Sequence, residues 1–383
     1  MLDRRYAAEI FPLIMGTFIA MLPMEATPFV IGGLVQAGLS TEQAGWVGTT
    51  SIFAVALVSM FTPPLISRLP FRTTMIAFGL VTILAYAMLG ATTSFTLLLL
   101  IGTLAGAGSG GLLAGMAMRV ARTADPDRSY GYIYASTGVG FALLLLVLPI
   151  VGSRFGHAAM FVLIAAVGGL ILPLLCRLPV DHVAQEETGA TDGGICWPFV
   201  AIVVLVMTVA FPIYGGTYGF AERKAVEIGL SARQAGQVLA GATMLTIVGS
   251  AIVAFIGTRW GRLMPTVVVM LIATLAYYLV LGARSPAGYA AGMLLFGLMQ
   301  LALNSYFFGL ASALDRAGGV AATLQGFSLI PYALGSGLFG SLTGGGSLHM
   351  LALPAAGLNL AGLLILLPVL VALDRNMRRR RPE

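Results

Sequence analysis

Gly38-Leu39-Ser40-Thr41-Glu42-Gln43-Ala44-Gly45 returns later in the chain as Gly229-Leu230-Ser231-Ala232-Arg233-Gln234-Ala235-Gly236. Six of the eight positions are identical, and the offset of 191 residues is half of the 383-residue chain. The same offset pairs Phe29 with Phe220, Arg68 with Arg259 and Gly106 with Gly297. The two halves therefore read as copies of one unit. Each copy of the segment also predicts a helix start. Ser40 and Ser231 can accept hydrogen bonds from first-turn N–H groups, and Gln43 and Gln234, three residues on, complete a capping box.

Composition says what surrounds these helices. Apolar residues make up 58% of the chain and charged residues 9%. A water-soluble surface carries roughly 25% charged residues. A soluble enzyme, a nucleic-acid-binding domain and a disordered chain are excluded. The apolar runs lack the alternation that membrane β-barrel strands require. Stretches long enough to cross a bilayer as helices fall at 9–35, 43–66, 73–92, 95–119, 129–153, 157–178, 197–221, 234–257, 264–283, 286–313, 319–343 and 348–373. That is six, then six, with a polar linker at 181–196. The expected domains are thus a six-helix half at 1–180 and a second at 197–383, ending in a basic tail.

Lys and Arg placement orients the chain. With the N-terminus in the cytoplasm, sixteen of the 21 Lys and Arg residues fall in cytoplasmic loops and tails and five in outer ones. This bias expects both termini inside. It also accounts for the net charge of +6 without a nucleic-acid partner. The Arg378–Arg381 run reads as an anchor on anionic lipid. Cys176 and Cys196 flank the linker on the cytoplasmic side, where thiols stay reduced. Arg4 and Arg5 before an apolar run mimic a signal peptide. However, that run is long, holds Glu25 and lacks a small-residue cleavage site, so it reads as a retained first span. An even number of spans in each half makes the copies parallel. They are then related by a pseudo-twofold axis along the membrane normal, with a central cavity between them. Alternating access needs such duplicated halves.

With these features the sequence resembles the major facilitator superfamily over nearly its whole length. In that family the loop after span 2 reads G-x-x-x-D-R-x-G-R-R. Pro63 to Arg72 keeps Arg68 and Arg72, with Ser67 at the acid position. Ala254 to Leu263 keeps Arg259, Gly261 and Arg262, with Thr258 at the acid position. Span 4 keeps the glycine of R-x-x-x-G as Gly106, with Gly102 in place of the arginine. Span 5 keeps Pro149 and Gly152 of the antiporter motif G-P-x-x-G-G. The resemblance implies an all-α integral membrane fold of twelve helices, as two six-helix pseudo-repeats around a central cavity. It further implies gating loops at Arg68, Arg72, Arg259 and Arg262, a monomer, and a multi-pass protein of the bacterial inner membrane. The motif fragments are drug/proton-antiporter-like and leave the subfamily open.

Within the spans, one charged residue lies deep. Glu25 sits ~22 Å along span 1 at ~1.5 Å per residue, just beyond the midplane. Charge at that depth is costly, so the residue is a functional candidate. Pro28 conflicts with the Met24 carbonyl and loosens the helix beside it. A carboxyl on a loosened helix suits binding and release of a proton or cation. In the resembling family span 1 lines the cavity, and several exporters carry an acid there. The structural alternative is a carboxylate that reaches the outer rim or hydrogen-bonds a helix for structure.

Glu222 is the second candidate. Tyr214, Tyr218 and Glu222 stand at i, i+4 and i+8, hence on one face of span 7. They form either a substrate-facing stripe with an outer gate or a solvated rim cluster with Arg223, Lys224 and Glu227. Gln300 and Asn304, neighbours in span 10, offer substrate contacts or an interhelical hydrogen bond. Met21 and Met24 share part of the Glu25 face. Gln325 and Tyr332 of span 11 and Asn359 of span 12 are weaker candidates.

Other chemistry is lacking. No Walker Gly-Lys-Ser/Thr occurs, and Gly106-Ala107-Gly108-Ser109-Gly110-Gly111 lies inside an apolar span. His157, His182 and His349 are scattered, and no nucleophile-base set is visible. No cofactor, metal or enzymatic activity is expected. No Lys or Arg lies deep in a span, which disfavours phosphate esters and dicarboxylates. Trp46, Trp197 and Trp260 sit at span ends, unlike a sugar site. The expectation is a secondary transporter, driven by protons, that exports lipophilic neutral or cationic small molecules. An uptake symporter for a small nutrient or aromatic compound is the alternative, and a non-transporting receptor a remote one.

Overall fold

The computed structural model describes residues 4–123, 126–179, 197–256, 261–314, 319–344 and 346–380. The linker 181–196, Cys196, His182 and Arg259 lie outside the described residues. All regular structure among the described residues is helical.

The first half runs α1 (Arg4–Glu25), α2 (Thr27–Gln36), α3 (Thr41–Phe61), a single turn α4 (Pro63–Ile66), α5 (Phe71–Leu89), α6 (Phe95–Val120), α7 (Pro126–Phe155) and α8 (His157–Ile171), which a 3-10 turn extends to Arg177. The second half runs α9 (Trp197–Gly219), α10 (Ala221–Glu227), α11 (Ala232–Ile256), α12 (Leu263–Leu281), α13 (Pro286–Leu314), α14 (Gly319–Thr343) and α15 (Ala352–Arg380). Ten described helices are long and apolar enough to cross a membrane, and α1 with α2 makes a broken eleventh. α14 occupies the remaining expected span.

Two expected spans are not continuous. Span 1 bends by 50° between α1 and α2. Pro28 lacks an N–H for the Met24 carbonyl, and the Thr27 hydroxyl bonds back to the Pro23 carbonyl, which keeps the break compact. Span 7 stops at Gly219 and restarts at Ala221, so Tyr214, Tyr218 and Glu222 do not share one uninterrupted helix face. Gly215, Gly216 and Gly219 weaken the helix just before that break.

The repeated Gly-Leu-Ser segments fold alike. Gly38 (φ 102°) and Gly229 (φ 84°) end α2 and α10 in the left-handed region. Leu39 N–H then reaches the Leu34 carbonyl at 3.2 Å and Leu230 N–H the Ala225 carbonyl at 2.9 Å, closing the two helices in the same way. Ser40 accepts from Gln43 N–H at 3.1 Å, and the Gln43 side chain accepts from Ser40 N–H at 3.1 Å. Ser231 and Gln234 make the same pair, at 3.3 and 2.9 Å. Both expected capping boxes are present.

Packing repeats too. Within the first half α6 packs on α3, α5 and α1; within the second, α13 packs on α11, α12 and α9. Gly106 lies on the Ser51 carbonyl and Gly297 on the Ala242 carbonyl, so closely that any Cβ would overlap the oxygen. Ser51 and Ala242 are themselves 191 residues apart. The halves meet along two seams, α3 with α14 and α7 with α11. Leu84, Leu104, Leu143, Leu170 and Leu364 are each more than half exposed on the outer surface of the bundle, a face suited to lipid.

Candidate functional site

Glu25 closes α1 at the break, where its helix comes close to α9. The Tyr218 hydroxyl donates to the Glu25 backbone carbonyl at 3.0 Å and lies 3.3 Å from carboxyl Oε2. The carboxyl faces a cavity of about 40 Å³ lined by Met21, Tyr134, Thr137, Gly138, Phe141, Thr243, Thr246, Gln300 and Leu301. That is room for a few waters. Lining residues come from α1 and α7 of the first half and α11 and α13 of the second. Among the described lining residues the ionisable groups are Glu25 and Tyr134.

An aromatic wall flanks the carboxyl. Tyr218 stacks on Phe296 at 5.9 Å, Tyr214 meets Phe296 at 5.4 Å and Tyr332 at 4.9 Å, and Tyr277 meets Phe296 at 6.1 Å. All five rings are buried.

The end of the bundle bearing the Gly38 and Gly229 turns is closed above this site. Trp46 Nε1 donates to Ser341 Oγ at 3.2 Å, and Ser341 donates to Glu42 Oε1 at 3.1 Å. Thr49 donates to the Ala333 carbonyl at 2.8 Å and accepts from Gly337 N–H at 2.7 Å. All four bonds cross the α3–α14 seam. Glu222 and Lys224 are each 1% exposed, so they do not form the solvated rim that one sequence reading allowed. Lys224 pairs with Glu227 at 2.9 Å. Glu227 also accepts from Ser347 Oγ at 2.5 Å and Leu348 N–H at 3.1 Å, which ties α10 to the turn before α15. Burial pushes the Glu227 carboxyl up. The bonds from Ser347, Lys224 and Leu348 outweigh that and hold it below its ordinary value.

The remaining candidates divide. Met21 and Gln300 join Glu25 at the cavity, and Tyr214, Tyr218 and Tyr332 join the aromatic wall. Met24 is partly buried away from the cavity lining. Asn304 sits one turn along α13 from Gln300, with Oδ1 unpartnered among the described residues. The Gln325 side chain lies outside the described residues. Asn359 is structural: its amide donates to the Met270 carbonyl at 3.1 Å and Thr274 Oγ1 at 2.8 Å on α12. Arg68 is exposed, and Arg72 Nε donates to the Leu178 carbonyl at 2.5 Å. In the second loop Asp374 of α15 accepts from Arg262 N–H at 2.7 Å and Leu263 N–H at 3.4 Å. A carboxylate distant in sequence thus caps α12, where Thr258 stands at the motif's acid position.

Sequence reasoning missed Tyr134, Thr137, Thr243 and Thr246. Both Thr137 and Thr243 bond back to their own helices, at 2.8 and 3.0 Å. Threonines doing so are ordinary in membrane helices, so composition carries no sign of a cavity position.

Comparison with known proteins agrees with this architecture. The family model described as Major Facilitator Superfamily matches residues 13–336. Among curated proteins no sequence matches. The nucleoside transporter NupG is similar in structure, with TM-score 0.76 and 12% identity over 96% of this chain and 99% of that one. The human organic anion transporter MFSD10 gives TM-score 0.66 and 16% identity over 96% and 100%. The POT family transporter PepTSo gives 0.71 and 11% over 100% of both. At such identities the likeness concerns the fold alone, while the family match spans most of the chain, and the chain belongs to the Major Facilitator Superfamily.

Proposed function

We propose that the protein is a proton-coupled secondary transporter that exports lipophilic neutral or cationic small molecules by alternating access. One observation carries this reading. Glu25 faces a cavity between the halves, beside Gln300, Tyr134 and Phe141, with no Lys or Arg among the described lining residues. A carboxylate there can hold a proton or a cationic substrate in turn, and coupling requires that its occupancy differ between the two conformations. Tyr134 and Phe141 in the lining suit aromatic and cationic molecules. Cytoplasmic termini, which the distribution of Lys and Arg favours, make the closed Gly38–Gly229 end the outer one. The cavity would then be served from the cytoplasm in this conformation, and the halves 1–180 and 197–383 would rock about it.

Proteoliposomes with an imposed pH gradient and ethidium as the probe test the reading. We expect gradient-driven ethidium flux, lost in Glu25→Gln. Equal flux in that variant with unchanged pH dependence would sink the assignment of Glu25. The second reading is proton-coupled uptake of a small nutrient or aromatic compound, favoured by Tyr134 and Phe141 in the lining. Flux in the same direction as the proton gradient would select it.

A further inference from the structure

A second carboxyl is buried on the outer side of Glu25, and the cavity around Glu25 does not use it. Glu222 is 1% exposed, and its Oε2 has no hydrogen-bond partner among the described residues. It presses on Gly32 of α2, where an added Cβ would stand 2.6 Å from the Glu222 carboxyl carbon. Both residues lie beyond a helix break, Gly32 after the α1–α2 bend and Glu222 after the α9–α10 interruption. Glu222 also follows Tyr218, which holds Glu25, across that interruption. A Cβ at Gly32 would displace the Glu222 carboxyl from this position, so the glycine is what lets the carboxyl seat.

The surroundings offer it little compensation. Arg223 follows it on α10 and is partly exposed. Lys224 is engaged by Glu227. α2 carries no titratable side chain. α9 contributes Tyr214 and Tyr218, the latter bonded to Glu25. α13 contributes Tyr289, whose hydroxyl is given to the Ala221 carbonyl at 2.8 Å. α11 brings Arg233, which is exposed, and α12 brings Tyr277 and Tyr278. An ionised carboxylate without a bonded partner is costly in such a place, whereas a neutral carboxyl is tolerated.

We infer that Glu222 is a second proton-binding site, at the outer gate, whose protonated form holds α10 against α2. When the two segments part, the carboxyl meets water and gives its proton to the outer solution. When they close, it must first take one back, forming a single O–H bond from an external proton. The gate therefore closes only with a proton aboard, which makes its closure depend on the outer pH. The inference rests on the proton-coupled reading above but invokes a different residue.

The test uses the full chain in lipid nanodiscs. Infrared difference spectra across the neutral pH range should show protonated-carboxyl C=O intensity, part of which Glu222→Gln removes and Glu25→Gln leaves. Spin labels at Val35 of α2 and Val226 of α10, with Cys176 and Cys196 replaced, report the gate. The parent protein should gain an open population as pH rises. Glu222→Gln, a mimic of the neutral form, should reduce that population by about tenfold. Glu222→Leu serves as a second variant without polar atoms and should behave as Glu222→Gln does. Unchanged carboxyl intensity in Glu222→Gln, or a gate that still opens with pH in both variants, overturns the inference. Failure of the parent to use a pH gradient, with the gate still titrating through Glu222, instead overturns the proton-coupled reading alone.

Discussion

Gly45 of α3 lies so close to Ser336 of α14 that a Cβ on the glycine would stand 2.5 Å from the Ser336 carbonyl oxygen. Gly236 of α11 and Leu145 of α7 repeat this at 2.6 Å. Gly236 is Gly45 shifted by 191 residues, and Leu145 is Ser336 shifted by 191 the other way. The two seams are thus exchanged by the pseudo-symmetry, as expected of parallel repeats about an axis along the membrane normal. Pro149, kept from the span-5 motif, packs on Gly236 across the same seam.

Substitution at these glycines should therefore wedge apart the closed end that bears the Gly38 and Gly229 turns. Gly45→Ala and Gly236→Ala place a methyl against backbone, which cannot swing aside, at a cost of about 1–3 kcal/mol each. Thermal melts of purified protein should show the loss. Labels at Val35 and Val226 should show a larger open population. A melt and a gate matching those of the parent would mean that the seams tolerate separation.

Tyr218→Phe removes the hydroxyl that holds Glu25. An interhelical hydrogen bond in a membrane averages about 0.6 kcal/mol, so the melt should hardly move. Ethidium flux driven by a pH gradient should fall well beyond that small change, because the carboxyl loses its fixed position. Flux equal to that of the parent would reduce the contact to packing.

Glu227 sets a pH dependence outside the membrane spans. Its carboxyl is held below its ordinary value, so its contribution to stability is present at neutral pH and is lost as pH falls through the lowered value. The melting temperature of the parent should drop on acidification across the carboxylate range. Glu227→Gln should start lower at neutral pH and show a shallower drop. Parallel curves for the two proteins would rule out this role.

Asp374→Ala uncaps α12 and should cost about 1 kcal/mol, with Asp374→Asn intermediate. Hydrogen exchange at the first turn of α12 should accelerate in step. Gln300→Leu provides a contrast. It faces the cavity rather than a partner helix, so it should weaken ethidium binding while leaving the melt in place.

Span number, parallel repeat and helix ends were legible because each rests on local chemistry. Twenty apolar residues need a bilayer, Ser40 with Gln43 caps a helix, and a matched segment 191 residues on betrays duplication. The broken first span was legible in part, since Pro28 denies a hydrogen bond wherever it sits in a helix. The break at Phe220 was not, because three nearby glycines permit an interruption without requiring one. Asp374 was invisible for another reason: it lies 112 residues from the N–H it caps.

The sequence by itself determined the solvent of this protein, its duplicated architecture and the nomination of Glu25 as the carboxyl left deep in a span. Tertiary structure alone decided what stands around that carboxyl. It brought Tyr218 from 193 residues away to its side, placed Gln300 and three threonines across the cavity, assigned Asn359 to packing and sealed Glu222 against Gly32. Periodicity assigns a residue to a helix face, but which face meets which depends on how closely whole helices can approach. The glycines that govern the approach meet backbone far away in the sequence, as Gly45 meets Ser336 and Gly236 meets Leu145.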